Sequence, residues 1–168
     1  MNLVLEAMLF AKEKHKDQKR KWTGNPYFEH LAEVAGIVAS VERVSDIVLA
    51  CAWLHDVIED QGVSPEEIEK HFGFQVSVAV VSLSDLEVGD RDTRKALSRQ
   101  RLAKTPGWVQ TIKVADIISN TGSTMNHDPV FAEKYFAEKR LLLPLLKDAN
   151  PHLLEMAWQQ VSEVKITK

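Results

Sequence analysis

The chain has 168 residues, 45% of them hydrophobic and 27% charged, with a formal net charge of −3; this suits one ordinary globular domain and excludes disordered, collagen-like and low-complexity classes. Its longest aliphatic stretches, Ile47–Leu54 and Leu141–Leu146, fall far short of the roughly 20 residues that span a bilayer. The single cysteine, Cys51, excludes an internal disulfide and a cysteine-rich zinc site and reads as a small buried hydrophobe.

Helix signals dominate in chain order. Leu5, Met8, Leu9 and Lys12 recur at helical spacing and predict a helix running towards Lys19. The start Met1-Asn2-Leu3-Val4-Leu5-Glu6 lacks a basic head, so no signal peptide and a cytoplasmic location are expected. A turn cluster, Trp22-Thr23-Gly24-Asn25-Pro26, precedes a second helix over about 30–41. Ser45 or Asp46 caps a third, which carries Ile47–Leu54 and ends near Gln61-Gly62. Ser64-Pro65-Glu66-Glu67 is a capping-box start for a short helix that stops near Gly73. Further helices are predicted over 74–83, 91–104, 107–121, 129–147 and 151–163, with Pro144 kinking or ending the penultimate one. Val76–Val81 is β-branched but lacks alternation and a hairpin turn. The expectation is an all-α bundle of about eight to ten helices, one domain over residues 1–168.

Charge is unevenly spread. Residues 12–21 carry a balance of +4 and residues 91–104 a balance of +5, which leaves the rest of the chain strongly acidic. Two basic segments on an acidic protein suit either a local site for a phosphorylated ligand or ordinary solvated helix faces. No aromatic-interleaved basic motif points to nucleic acid, and no segment points to a membrane.

The densest chemistry lies in Leu54-His55-Asp56-Val57-Ile58-Glu59-Asp60. On one continuous helix, His55 and Glu59 lie one turn apart, as do Asp56 and Asp60. Carboxylates in a last helical turn oppose the macrodipole, and a cation would compensate them. Adjacent His and Asp can reach one metal. Asp116 interrupts the apolar run Val109, Ile112, Ala115, Ile117 and Ile118, and with Asn120 and Ser123 it forms a polar stripe. A carboxylate buried there needs either a metal or a salt bridge with Lys113. His30 gains weight from order: His30, His55-Asp56 and Asp116 form an N/O donor set suited to Mn, Fe, Co, Ni or Zn. His15, His71, His127 and His152 are assigned surface or structural roles.

The order His30 … His55-Asp56 … Asp116 resembles the metal signature of the HD phosphohydrolase superfamily. Arg20-Lys21-Trp22-Thr23-Gly24-Asn25-Pro26-Tyr27-Phe28-Glu29-His30 is similar to the RK-x-x-G-x-PY-x-x-H stretch of the (p)ppGpp hydrolases. His55 to Asp60 matches their HDVIED motif, and Val114-Ala115-Asp116 through Asn120 resembles their A-D-x-x-x-N segment. The resemblance covers residues 1 to about 147 and fits a stand-alone small alarmone hydrolase, with no room for the synthetase domain of the Rel/Spo-type enzymes.

The resemblance implies one divalent metal, usually Mn²⁺, held by His30, His55, Asp56 and Asp116. It implies that Glu59 and Asp60 position or deprotonate the attacking water. Arg20, Lys21, Asn120 and Ser123 would hold the nucleotide. The resemblance extends only loosely to Lys95, Tyr135 and Arg140, which it would set along the phosphate pocket, and they are assigned no role. The implied reaction is removal of the 3′-pyrophosphate of ppGpp, pppGpp or the adenosine analogue. Another HD nucleotide phosphohydrolase and a catalytically silent nucleotide-binding module are the alternatives. Leu31 stands where the family usually has Pro, and Gln61 and Ser123 where it commonly has Thr.

Overall fold

The computed structural model describes residues 2–41 and 43–162. Among them ten α-helices follow one another: α1 Leu3–Lys14, α2 Phe28–Ala39, α3 Asp46–Leu54, α4 Val57–Gln61, α5 Pro65–Phe72, α6 Phe74–Leu83, α7 Arg91–Leu102, α8 Gly107–His127, α9 Pro129–Leu142 and α10 Pro151–Ser162. A 3₁₀ turn, Leu143–Leu145, closes α9 at Pro144, where a missing N–H and a fixed φ stop the α-helical ladder. An isolated bridge between Lys19 and Pro26 is the only extended pairing among the described residues, so the all-α expectation holds.

Local chemistry explains most boundaries. The Asn2 side chain accepts from the Val4 and Leu5 amides at the start of α1, and Ser64 and Asp90 cap α5 and α7 through the Glu67 and Thr93 amides. Gly62, in the left-handed region at φ 64, ends α4 by giving its N–H to the Ile58 carbonyl at 3.1 Å.

Three boundaries depart from the sequence expectation. The first helix stops at Lys14 because residues 15–27 fold back as a closed loop, with the Arg20 amide on the Asn25 carbonyl (2.8 Å) and the Tyr27 amide on the Gln18 carbonyl (2.9 Å). α8 continues past Gly122 and Ser123, since the hydroxyls of Thr121 and Thr124 donate to the carbonyls one turn earlier and remain satisfied inside the helix. The third helix breaks at His55-Asp56: Asp56 sits at φ −106, ψ −1, in the sparsely populated bridge region, and α4 starts afresh after it.

Two apolar cores lie on either side of α8. Leu31, Val34, Cys51, Leu54, Ile68, Val80 and Ile112 belong to the first, built on the central helix α3 with α1, α2, α5 and α6. Leu102, Ile117, Phe136, Leu143, Leu146 and Leu153 belong to the second, under α9 and α10. Each fully buried Leu or Ile contributes about 1.5–3 kcal/mol, enough for the two cores to hold α8 at fixed depth and with it Asp116. Burial pushes the Cys51 thiol up to about 12, which makes it a packing residue.

Candidate metal centre and active site

Four side chains from three places in the sequence converge between the cores. His30 lies in the first turn of α2, His55 and Asp56 at the α3–α4 break, and Asp116 in the middle of α8. The break is what aims two adjacent residues at one point. His55 Nε2 lies 3.0 Å from Asp56 Oδ2 and 3.8 Å from Asp116 Oδ1; His30 Nε2 lies 3.5 Å and 3.3 Å from the same two oxygens. Donor atoms of His30, His55 and Asp56 all fall within 4.8 Å of one another.

The surroundings fix which ring nitrogen faces inward. His55 gives its Nδ1–H to the Ala52 carbonyl at 2.8 Å. Ser119 donates its hydroxyl to Glu33 Oε2 (2.7 Å), so its oxygen is left to accept Nδ1–H of His30 at 2.8 Å. In the neutral rings both Nε2 atoms are therefore left with a lone pair, and both are buried without a hydrogen bond. Two imidazole lone pairs and two carboxylates facing one another need a positive charge among them, and this N/O donor set suits a divalent ion. The same demand appears in the imidazoles themselves. Burial would lower His30, but Asp116 and Asp56 outweigh it and raise it to about 9.

Asp116 has both outcomes weighed from its sequence. Its Oδ2 accepts from Lys113 Nζ at 2.9 Å while Oδ1 faces the imidazoles and accepts from Asn120 Nδ2 at 2.6 Å. Burial opposes its charged form, yet Lys113 and His30 hold the carboxyl far below the usual range. Tyr27, which the sequence reading did not single out, gives its hydroxyl to Asp56 Oδ2 at 2.7 Å.

Glu59 and Asp60 diverge from the expected single patch. They occupy the first turn of the new helix α4, not the last turn of a long one, so the conflict with the macrodipole does not arise there and the case for a cation rests on the four converging side chains. Glu59 Oε2 accepts the Asp85 amide at 2.9 Å, and Asp60 Oδ2 accepts Gln18 Nε2 at 2.8 Å. Burial raises both carboxyls above their ordinary values.

Arg20, Lys21, Asn120 and Ser123 line one depression of about 120 Å³, together with Trp22, Tyr27 and Thr124. Arg20 and Ser123 also border a neighbouring cleft of about 300 Å³, which adds Glu29, Glu33 and Gly122. The Ser123 hydroxyl oxygen is buried without a partner, and Lys21 Nζ rests 4.2 Å from the Trp22 ring.

Three of the six basic residues of the second segment are spent internally: Arg91 on Glu138 (2.6 Å), Lys95 on Asp85 (2.6 Å) and Arg101 on Glu87 (2.6 Å). Arg140 donates to the Val161 carbonyl at 2.7 Å and ties α9 to α10. Lys95 does border a small cavity with Arg99, Lys113 and Lys139. His15, assigned a surface or structural role, is buried against the site loop, stacked on Tyr27 at 5.2 Å.

The domain-family model "HD domain" matches residues 7–159. The chain is 36% identical to the guanosine-3′,5′-bis(diphosphate) 3′-pyrophosphohydrolase of Homo sapiens over 119 residues, 70% of this chain and 66% of that one. The mouse protein of the same name is 30% identical over 171 residues, covering 98% and 96%. A solved structure described as a metazoan ortholog of SpoT that hydrolyses ppGpp superimposes with a TM-score of 0.88 at 27% identity, covering 96% of this chain and 95% of that one. No described helix is long and apolar enough to cross a membrane. The chain belongs to the HD domain family, in the group of small guanosine-3′,5′-bis(diphosphate) 3′-pyrophosphohydrolases.

Proposed function

We propose that this chain removes the 3′-pyrophosphate of ppGpp, pppGpp or the adenosine analogue, releasing pyrophosphate and a nucleoside 5′-di- or triphosphate. The observation that carries the reading is the pair of buried, unpartnered imidazole nitrogens facing Asp56 and Asp116, beside a depression bordered by Arg20 and Lys21. The relatives named for this activity support it. His30, His55, Asp56 and Asp116 would hold one Mn²⁺. That ion would supply Lewis-acid charge for the phosphoryl group and lower the pKa of water.

The chain's own groups account for the rest. Arg20 and Lys21 offset the substrate's negative charge and fix its phosphates. Asn120, already holding Asp116, and the free Ser123 hydroxyl bind the nucleotide. Glu59 and Asp60 orient the attacking water, and one of them accepts its proton; burial makes each a better base than an exposed carboxylate. Water oxygen bonds to the 3′-bound phosphorus, the 3′ O–P bond breaks, and the sugar oxygen leaves with a proton. A cytoplasmic location goes with a free nucleotide substrate, without a nucleic-acid or membrane partner.

The test is a product assay on metal-stripped protein with Mn²⁺ restored, using ppGpp, ppApp and GDP in parallel. Pyrophosphate from the 3′-pyrophosphorylated nucleotides alone is the expected result, and the ratio of their rates names the base. Orthophosphate from GDP would move the protein to another phosphohydrolase activity, and tight binding without turnover would make it a binding module.

A further inference from the structure

The loop that carries Arg20 and Lys21 also reaches Asp60. Gln18 Nε2 donates to Asp60 Oδ2 at 2.8 Å across 42 residues of sequence. A glutamine amide can face either way, and with its oxygen turned towards Asp60 it would repel the carboxylate. Two groups choose the donating orientation. His15 Nδ1 lies 2.6 Å from Gln18 Oε1, and Gln61 Nε2 donates to the same oxygen. Since that oxygen can only accept, His15 must carry its proton on Nδ1.

His15 is 1% exposed, its Nε2 is buried without a partner, and its ring stacks on Tyr27 at 17° between planes. Tyr27 in turn donates to Asp56 Oδ2. One buried imidazole thus backs both the group that holds Asp60 and the group that holds Asp56. Gln61 is the second donor on the same amide.

We propose that His15 and Gln18 are positioning residues for the hydrolytic step: His15 sets the orientation of the Gln18 amide, and Gln18 holds the Asp60 carboxylate where it meets the attacking water. The proposal rests on the assignment of Asp60 to that step. Neither residue needs to touch substrate or metal. Loss of an outer partner of this kind costs about 10–100-fold in the property it supports.

Three variants separate orientation from packing. Gln18→Met keeps the volume and removes the donor. His15→Phe keeps a ring on Tyr27 and removes the proton donor. His15→Asn sacrifices the stack but places an amide nitrogen near the position of Nδ1. Steady-state hydrolysis of ppGpp, Mn²⁺ affinity by calorimetry and crystal structures of the wild type and Gln18→Met are the readouts. Gln18→Met and His15→Phe are expected to lower kcat about 10–100-fold with KM and Mn²⁺ affinity nearly unchanged. His15→Asn is expected to recover most of the rate, and in Gln18→Met the Asp60 carboxylate is expected to leave its wild-type place. Unchanged kcat in Gln18→Met, or failure of His15→Asn to exceed His15→Phe, would overturn the proposal. So would an Asp60 that stays put in the variant crystal, a result readable whether or not the wild type accepts ppGpp. An inactive wild type would count against the proposed substrate instead.

Discussion

Two carboxylate clusters lie within reach of α8, and they are built on opposite plans. Around Asp85 every oxygen is spoken for. Oδ2 takes Lys95 at 2.6 Å, and Oδ1 takes Ser98 at 2.7 Å and Arg101 at 3.1 Å, while Arg101 also grips Glu87. Asp56 and Asp116 have donors too, in Tyr27, Lys113 and Asn120, but two imidazole nitrogens stand buried without a hydrogen bond beside the carboxylates. A closed network of this kind fastens the segment after α6 to α7, whereas the open one turns two imidazole nitrogens and two carboxylates towards one another, a donor set that suits positive charge. What separates the two clusters is the pair of unpartnered imidazole nitrogens, since both clusters are at least partly buried and both contain Asp.

The largest effect should come from the open cluster. Asp56→Ala is expected to abolish turnover and remove tight Mn²⁺ binding, checked by calorimetry beside the product assay; full Mn-dependent activity would dissolve the distinction. Glu59→Gln is expected to keep the metal and lose rate, by about 10²–10⁴-fold for a lost proton acceptor.

In the closed cluster the order reverses. Arg101→Met should cost about 1.5–3 kcal/mol for the lost hydrogen bonds to charged groups, read by urea denaturation, and leave Mn²⁺ affinity in place. The pH dependence sharpens this. Burial would raise the Asp85 carboxyl, but Lys113 and Lys95 outweigh it and hold it far below the ordinary range. Its contribution is therefore complete above the unfolded value of about 4 and lost as pH falls below it. Asp85→Asn should flatten the acid limb of the stability curve from about pH 5 downwards, as followed by thermal melts. Ser64→Ala, a cap remote from both clusters, should cost only about 1 kcal/mol and alter neither turnover nor metal binding.

Much of this was legible in the chain because it is local. Ser64-Pro65 starts α5, Pro144 ends α9, and His30, His55, Asp56 and Asp116 stand out as polar residues on apolar segments. The break at His55-Asp56 was not legible, since Ile47–Leu54 and Val57-Ile58 continue one apolar pattern; tertiary contacts that turn both side chains to one centre override the propensity. Tyr27, Ser119, Glu33, His15 and Gln18 act on residues 29 to 89 positions away or in a folded-back loop, and no spacing rule reaches that far. The HxxQ spacing of His15 and Gln18 was the available hint, and only the fold shows what it faces.

The most direct measurement is a titration of metal-stripped protein with Mn²⁺ while pyrophosphate release from ppGpp is followed. The account predicts that turnover, absent at the start, rises in proportion to added metal and saturates at one equivalent per chain. Pyrophosphate release that is already complete without metal would contradict it.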